Sequence, residues 1–182
     1  YNSPLFFAII ENQEDWWEYF EIGRIENGKI KWLEVKDWPD GEYMQNSVLS
    51  AEWIELEGVN DPVLEVYGKT HMGNGEIYLF KVDRDKYSLV FHTFAVDYHY
   101  DSRWDPENYK KYGYGTCSEI YRGGKLLADY SDLNNDGISD VTLSGIVDVV
   151  CDDNQKNQEG KYPEVKVAEY PVKDEYFLDF KI

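Results

Sequence analysis

Four strand-like runs follow one another at hairpin distances: Glu52–Leu56, Val63–Tyr67, Gly75–Val82 and Tyr87–Val96. Between them lie Gly58-Val-Asn-Asp-Pro62, Gly73-Asn-Gly75 and Asp83-Arg-Asp85, built from the residues that turns require. Runs this short, rich in β-branched and aromatic residues, are too brief for helices and fit strands. Hairpin spacing leaves no room for crossover helices, so the expected unit is an antiparallel meander. The segment before it obeys the same rule. Leu5–Ile10 is a short apolar run, and Ile25, Ile30 and Trp32 alternate with charged neighbours around Asn27-Gly28. That dipeptide is the strongest hairpin signal in the chain, because a type I′ turn needs positive φ at both central residues. Trp38-Pro-Asp-Gly41 closes this first unit, and Glu42–Ser50 is expected to be a short helix or a loop.

Downstream, Asp97–Tyr114 is polar and aromatic and is expected to form a long surface loop. Arg122-Gly-Gly124 is expected to be a turn between Gly115–Ile120 and Leu126–Tyr130. Val141–Val150 supplies one or two strands, Asp152–Lys161 a polar linker, and Val165–Tyr170 with Tyr176–Ile182 two closing strands. At 182 residues the chain suits a single all-β domain, residues 1–182.

Chemistry is concentrated in Asp132-Leu-Asn-Asn-Asp-Gly-Ile-Ser-Asp140. Oxygen side chains stand at Asp132, Asn134, Asp136 and Asp140, with Gly137 after the third. A calcium ion takes about six to eight oxygens at roughly 2.3–2.6 Å, and alternate residues of a tight loop aim their oxygens into one small space. Gly137 takes the positive φ that reverses the chain, so that Ile138 offers its backbone carbonyl. An EF-hand is excluded. Its twelfth position would be Leu143 where a bidentate Glu is needed, and Val141-Thr-Leu-Ser-Gly145 is a strand pattern rather than a helix. A solvated Asn/Asp/Gly turn uses the same residues and is the competing reading.

The pattern D-x-N-x-D-G-x-x-D running into a strand resembles the calcium loops of FG-GAP/VCBS-type repeats, the blades of integrin-α-like β-propellers. The resemblance covers Asp132 to Gly145. It implies Asp132, Asn134, Asp136 and Asp140 as side-chain ligands and Ile138 as a carbonyl ligand of one calcium ion. It further implies a small or incomplete β-propeller-like arrangement of meander sheets in a bacterial secreted or lipoprotein-like chain. A weak internal echo agrees with repetition. Glu57, Asp61 and Glu65 fall 75 residues before Asp132, Asp136 and Asp140, but Val59 and Pro62 replace the asparagine and the glycine. A full propeller needs at least four blades of about 40–50 residues, and the chain has material for three or four. A β-sandwich is the alternative.

Acidic residues outnumber basic ones 36 to 18, for a net charge of −18, which opposes phosphate backbones and excludes nucleic acid as the expected partner. No apolar run is long enough for a membrane span. The sequence opens without Met, as expected of a chain whose leader has been removed, and an extracellular or surface location, with or without a lipid anchor, suits a weak calcium site. Cys117 and Cys151 either pair in an oxidising compartment or remain thiols. Zinc is disfavoured, since His71, His92 and His99 include no closely spaced pair and the cysteines form no C-x-x-C. His92, alternating within an apolar strand, reads as a core residue.

No catalytic motif is present: there is no G-x-S-x-G, H-E-x-x-H, Walker loop or G-x-G-x-x-G. The leading expectation is a non-catalytic, extracytoplasmic module that binds a protein or glycan and is braced by one calcium ion. Carbohydrate binding through Trp104, Tyr109, Tyr112 and Tyr114 is the second, because exposed rings stack on pyranose faces. Hydrolysis by a pair of facing carboxylates is the third.

Overall fold

A computed structural model describes residues 4–12, 17–36, 47–69, 75–96, 117–153 and 164–179, and contains no helix among them. The strands are β1 (Leu5–Asn12), β2 (Trp17–Glu26), β3 (Lys29–Trp32), β4 (Glu34–Lys36), β5 (Ser47–Ile54), β6 (Val63–Lys69), β7 (Gly75–Asp83), β8 (Lys86–Val96), β9 (Cys117–Ser131), β10 (Asp140–Asp153) and β11 (Glu164–Tyr176). They form three sheets, ordered β1-β2-β3, β4-β8-β7-β6-β5 and β11-β10-β9. All pairings are antiparallel except β4 with β8. The protein is therefore all-β with antiparallel sheets, and among the described residues the sheets are not closed into a barrel.

The expected meander is the body of the central sheet, β5-β6-β7-β8 in chain order. Asn27-Gly28 makes the turn of the β2–β3 hairpin, with φ of 52° and 74° at its centres and Ile25 opposite Ile30. One residue then carries the chain from the first sheet to the central one. The Leu33 N–H donates to Ile22 O at 2.9 Å, still in the first sheet, while the Glu34 N–H donates to Asp85 O at 2.9 Å and begins β4 at the central sheet's edge. Arg24, buried on β2, donates to the carbonyl of Arg84 in the β7–β8 turn, and the exposed Lys31 Nζ meets Asp85 Oδ1 at 2.7 Å.

The central sheet is covered on both faces. Along β7 every residue from Gly75 to Val82 is buried, a pattern that one-faced alternation cannot give. Tyr78, Phe80 and Val82 join Leu64 and Val66 and pack with Ile22, Leu5 and Phe7 of the first sheet. The opposite parity, Ile77 and Leu79 with Val63, packs against Leu126, Val141, Leu143 and Val147 of the third sheet. Side chains of Leu79 and Phe80 size, fully withdrawn from water, stabilise the fold by roughly 1.5–3 kcal/mol each. Polar links cross the second interface as well. Tyr130 of β9 donates to Glu65 of β6, and Phe91 and Tyr176 meet edge to face at 5.1 Å.

Three local expectations change. Arg122-Gly-Gly124 is not a turn: β9 runs through it, with Arg122, Gly123 and Gly124 opposite Val149, Asp148 and Val147 of β10. The long β10 partner holds the glycines in the ladder, so their freedom to turn is unused. The first closing strand is longer than expected, β11 from Glu164 to Tyr176, which passes through Pro171 because β11 is a sheet edge where a missing N–H is tolerated; of the second, Tyr176–Ile182, residues 177–179 are not strand and 180–182 lie outside the described residues. Ser47–Ser50, expected within a helix or loop, begins β5. Trp38–Gly41 and residues 154–161 of the expected linker lie outside the described residues, while its first two residues, Asp152 and Asp153, end β10.

Candidate metal centre

The β9–β10 hairpin is closed by the Asp132–Ser139 loop, whose backbone is turned by Asn135 (φ 62°) and Gly137 (φ 85°). Its side chains organise it. Asp132 Oδ1 accepts the Asp136 N–H at 3.1 Å and Asp132 Oδ2 accepts that of Gly137 at 2.9 Å. Asn134 Oδ1 accepts the same Asp136 N–H at 2.9 Å, and Asp136 Oδ1 accepts the Ile138 N–H at 2.9 Å. Asn134 Nδ2 also donates to Asp136 Oδ2 at 3.1 Å. Side-chain oxygens of the first, third and fifth loop positions thus crowd around one stretch of backbone, with Asn134 and Asp136 exposed and Asp132 half-buried.

Asp140 is placed differently. It is fully buried, its Oδ2 accepting the Leu133 N–H at 3.1 Å and its Oδ1 the Leu178 N–H at 2.9 Å. The carboxylate ties the start of the loop, the start of β10 and the segment after β11 together. Ile138 is half-buried. Among the described residues no group of three or more His, Cys, Asp or Glu side chains is gathered as a metal cluster. The set that does converge is two carboxylates and an amide.

The donor set still fits a hard divalent cation. Every candidate atom is oxygen, which suits calcium and not zinc. A carboxylate or amide oxygen that accepts one N–H keeps a further lone pair, so the hydrogen bonds made by the loop's own backbone do not use up its ligating capacity. Asp132, Asn134 and Asp136 would hold the ion from the exposed side, with Asp140 as the buried anchor.

A second loop, between β5 and β6, supports this one through contacts that no local sequence pattern announces. The Ser139 N–H donates to Glu57 O at 2.9 Å, and the Glu57 N–H donates back to Ser139 Oγ at 2.8 Å. Gly58, with φ of +75°, lies so close that a Cβ there would stand 2.0 Å from Gly137 O. The β5–β6 loop at Glu57 and Gly58 thus touches the β9–β10 loop at Gly137 and Ser139.

Trp104, Tyr109, Tyr112 and Tyr114, together with His71 and His99, lie outside the described residues. His92 on β8 stacks on Tyr78 at 4.4 Å, with Nε2 3.1 Å from Glu76 Oε2, and Tyr78 donates to that same oxygen. The backbone register sets Cys117 opposite Asp153 and Cys151 opposite Ile120. No helix of the described residues is long and apolar enough to cross a membrane.

The fold and loop define an all-β chain of stacked antiparallel sheets with an oxygen-lined hairpin loop. No protein-family model matches it, and neither a curated protein nor a solved structure does.

Proposed function

We propose that this chain is a non-catalytic, extracytoplasmic binding module whose β9–β10 loop is braced by one calcium ion, in the manner of FG-GAP/VCBS-type repeats. Asp132, Asn134, Asp136 and Asp140 act as side-chain ligands and Ile138 as a carbonyl ligand. The observation that carries the reading is the shared Asp136 N–H, which brings Asp132 Oδ1 and Asn134 Oδ1 to within 3.1 and 2.9 Å of one atom. Each of these oxygens keeps a lone pair beside the one it offers that N–H, and a hard cation would draw on both. The ion's role is structural: it would hold the loop against Glu57 and Gly58 and so order the end of the sheet stack. A protein or a glycan is the partner class, and the acidic surface disfavours nucleic acid.

The test is calcium titration into chelator-stripped protein, followed by calorimetry and melting. A ligand at a hundred times its Kd adds about 2.7 kcal/mol of stability. Asp136→Asn, at an exposed position, is expected to weaken that response while leaving the metal-free melting temperature nearly unchanged. Absence of both heat and melting shift refutes the metal assignment.

A further inference from the structure

A groove of about 660 Å³ opens between the first sheet and the end of β5, lined by Leu5, Trp53, Glu55, Val59, Asp61 and Pro62 among others. Its size lies within the range of small-ligand sites. Most of its wall is the β5–β6 loop, and that loop is stitched in place at several points. The Val59 N–H donates to Leu56 O at 3.2 Å and the Val82 N–H to Pro62 O at 2.9 Å, while Glu57 is bonded in both directions to Ser139. A wall fixed before binding spares a ligand the entropy of ordering it.

The chemistry of the lining is one-sided. Trp53 is half-buried, Leu5 and Pro62 extend the apolar floor, and Glu55 and Asp61 are exposed carboxylates. Among the described residues that line the groove none is Lys, Arg or His, and the protein carries a net charge of −18. We propose that this groove binds a basic side chain, lysine or arginine, of a partner protein. An aliphatic stem lies along the apolar floor and the indole, and the cationic head meets the two carboxylates. Indole faces attract cations, guanidinium above all, and desolvation beside the ring strengthens the attraction. Steering by the surrounding negative charge raises the encounter rate of such a partner. The proposal rests on the reading of the chain as a binding module, and it stands whether or not the neighbouring loop holds calcium.

The experiment titrates a short blocked peptide containing two adjacent arginines, and the same peptide with citrulline in their place, into the full chain at physiological salt. The arginine peptide is expected to bind at least about tenfold more tightly than the citrulline peptide, the size of one lost charge-assisted contact. Glu55→Gln with Asp61→Asn is expected to remove that preference. Asp129→Asn with Asp174→Asn, equally exposed acids on the third sheet, is expected to preserve it. Equal binding of the two peptides overturns the proposal, as does equal weakening by the remote pair, which would reduce the effect to net charge. The calcium-dependent melting of the Glu55→Gln/Asp61→Asn variant, read in the same samples, reports on the metal loop separately, so failure of one reading is not mistaken for failure of the other.

Discussion

Replacing Gly58 by alanine probes the contact between the two hairpin loops. At φ +75° an L-residue pays roughly 1–2 kcal/mol for the left-handed backbone. The new methyl would also stand 2.0 Å from Gly137 O and 3.0 Å from Gly137 C, both backbone atoms. Ordinary contact begins near 3.4 Å, so the loops must part by more than an ångström. Overpacking of that kind costs roughly 1–3 kcal/mol. Parting the loops also strains the reciprocal bonds between Glu57 and Ser139, each worth on the order of 1 kcal/mol. The expected loss is therefore about 2–5 kcal/mol from the backbone and the overpacking, before any loosening of those two bonds. Gly28→Ala is the internal control: its φ is +74°, but nothing lies within 4 Å of the added methyl, so it pays the backbone cost alone. Urea denaturation of both variants reads the difference directly. At roughly 2–4 °C per kcal/mol for a chain of this size, melting should fall by about 4–20 °C for Gly58→Ala and by about 2–8 °C for Gly28→Ala. Equal losses in the two variants would refute the loop–loop contact.

Asp140→Asn replaces one carboxylate oxygen by a donor facing either the Leu133 or the Leu178 N–H inside a fully buried site, and a stability loss of about 2–4 kcal/mol by denaturant titration is expected without any metal. A loss below about 0.5 kcal/mol would show that the buried carboxylate does not anchor the loop. Burial raises the Tyr87 hydroxyl to about 12, and burial with the Glu65 carboxylate beside it also raises that of Tyr130. Unfolded tyrosines titrate near 10, so the folded chain holds these protons more tightly: their contribution is whole below about pH 10 and is lost as pH climbs from there towards 12. Urea midpoints measured from pH 8 to 12 should fall over that window, with Tyr87→Phe flattening part of the fall; a midpoint independent of pH there would contradict both burials.

Local pattern determined much of this protein. Short strand-like runs at hairpin distances specify the β5-to-β8 meander, and period-two alternation around Asn27-Gly28 specifies the β2–β3 hairpin, because run length and each turn's φ requirement are written within a few residues. Asp132, Asn134, Asp136 and Gly137 are legible for the same reason: a loop folded by its own side chains needs no distant partner. Tertiary structure decided the rest. Nothing near Gly75–Asp83 announces that a second sheet will cover its far face, burying Glu76 and Lys81 with Tyr78 and Phe80. Asp140 and Asp136 read alike in sequence, yet one is sealed under Leu133 and Leu178 and the other is exposed, because burial depends on which strands arrive from elsewhere. Gly123 and Gly124 look like a turn until the long β10 ladder holds them straight, and Pro171 looks like a break until β11 proves to be an edge. Gly58 owes its place to a carbonyl 79 positions further along the chain, at Gly137, a constraint that exists only once the sheets have stacked.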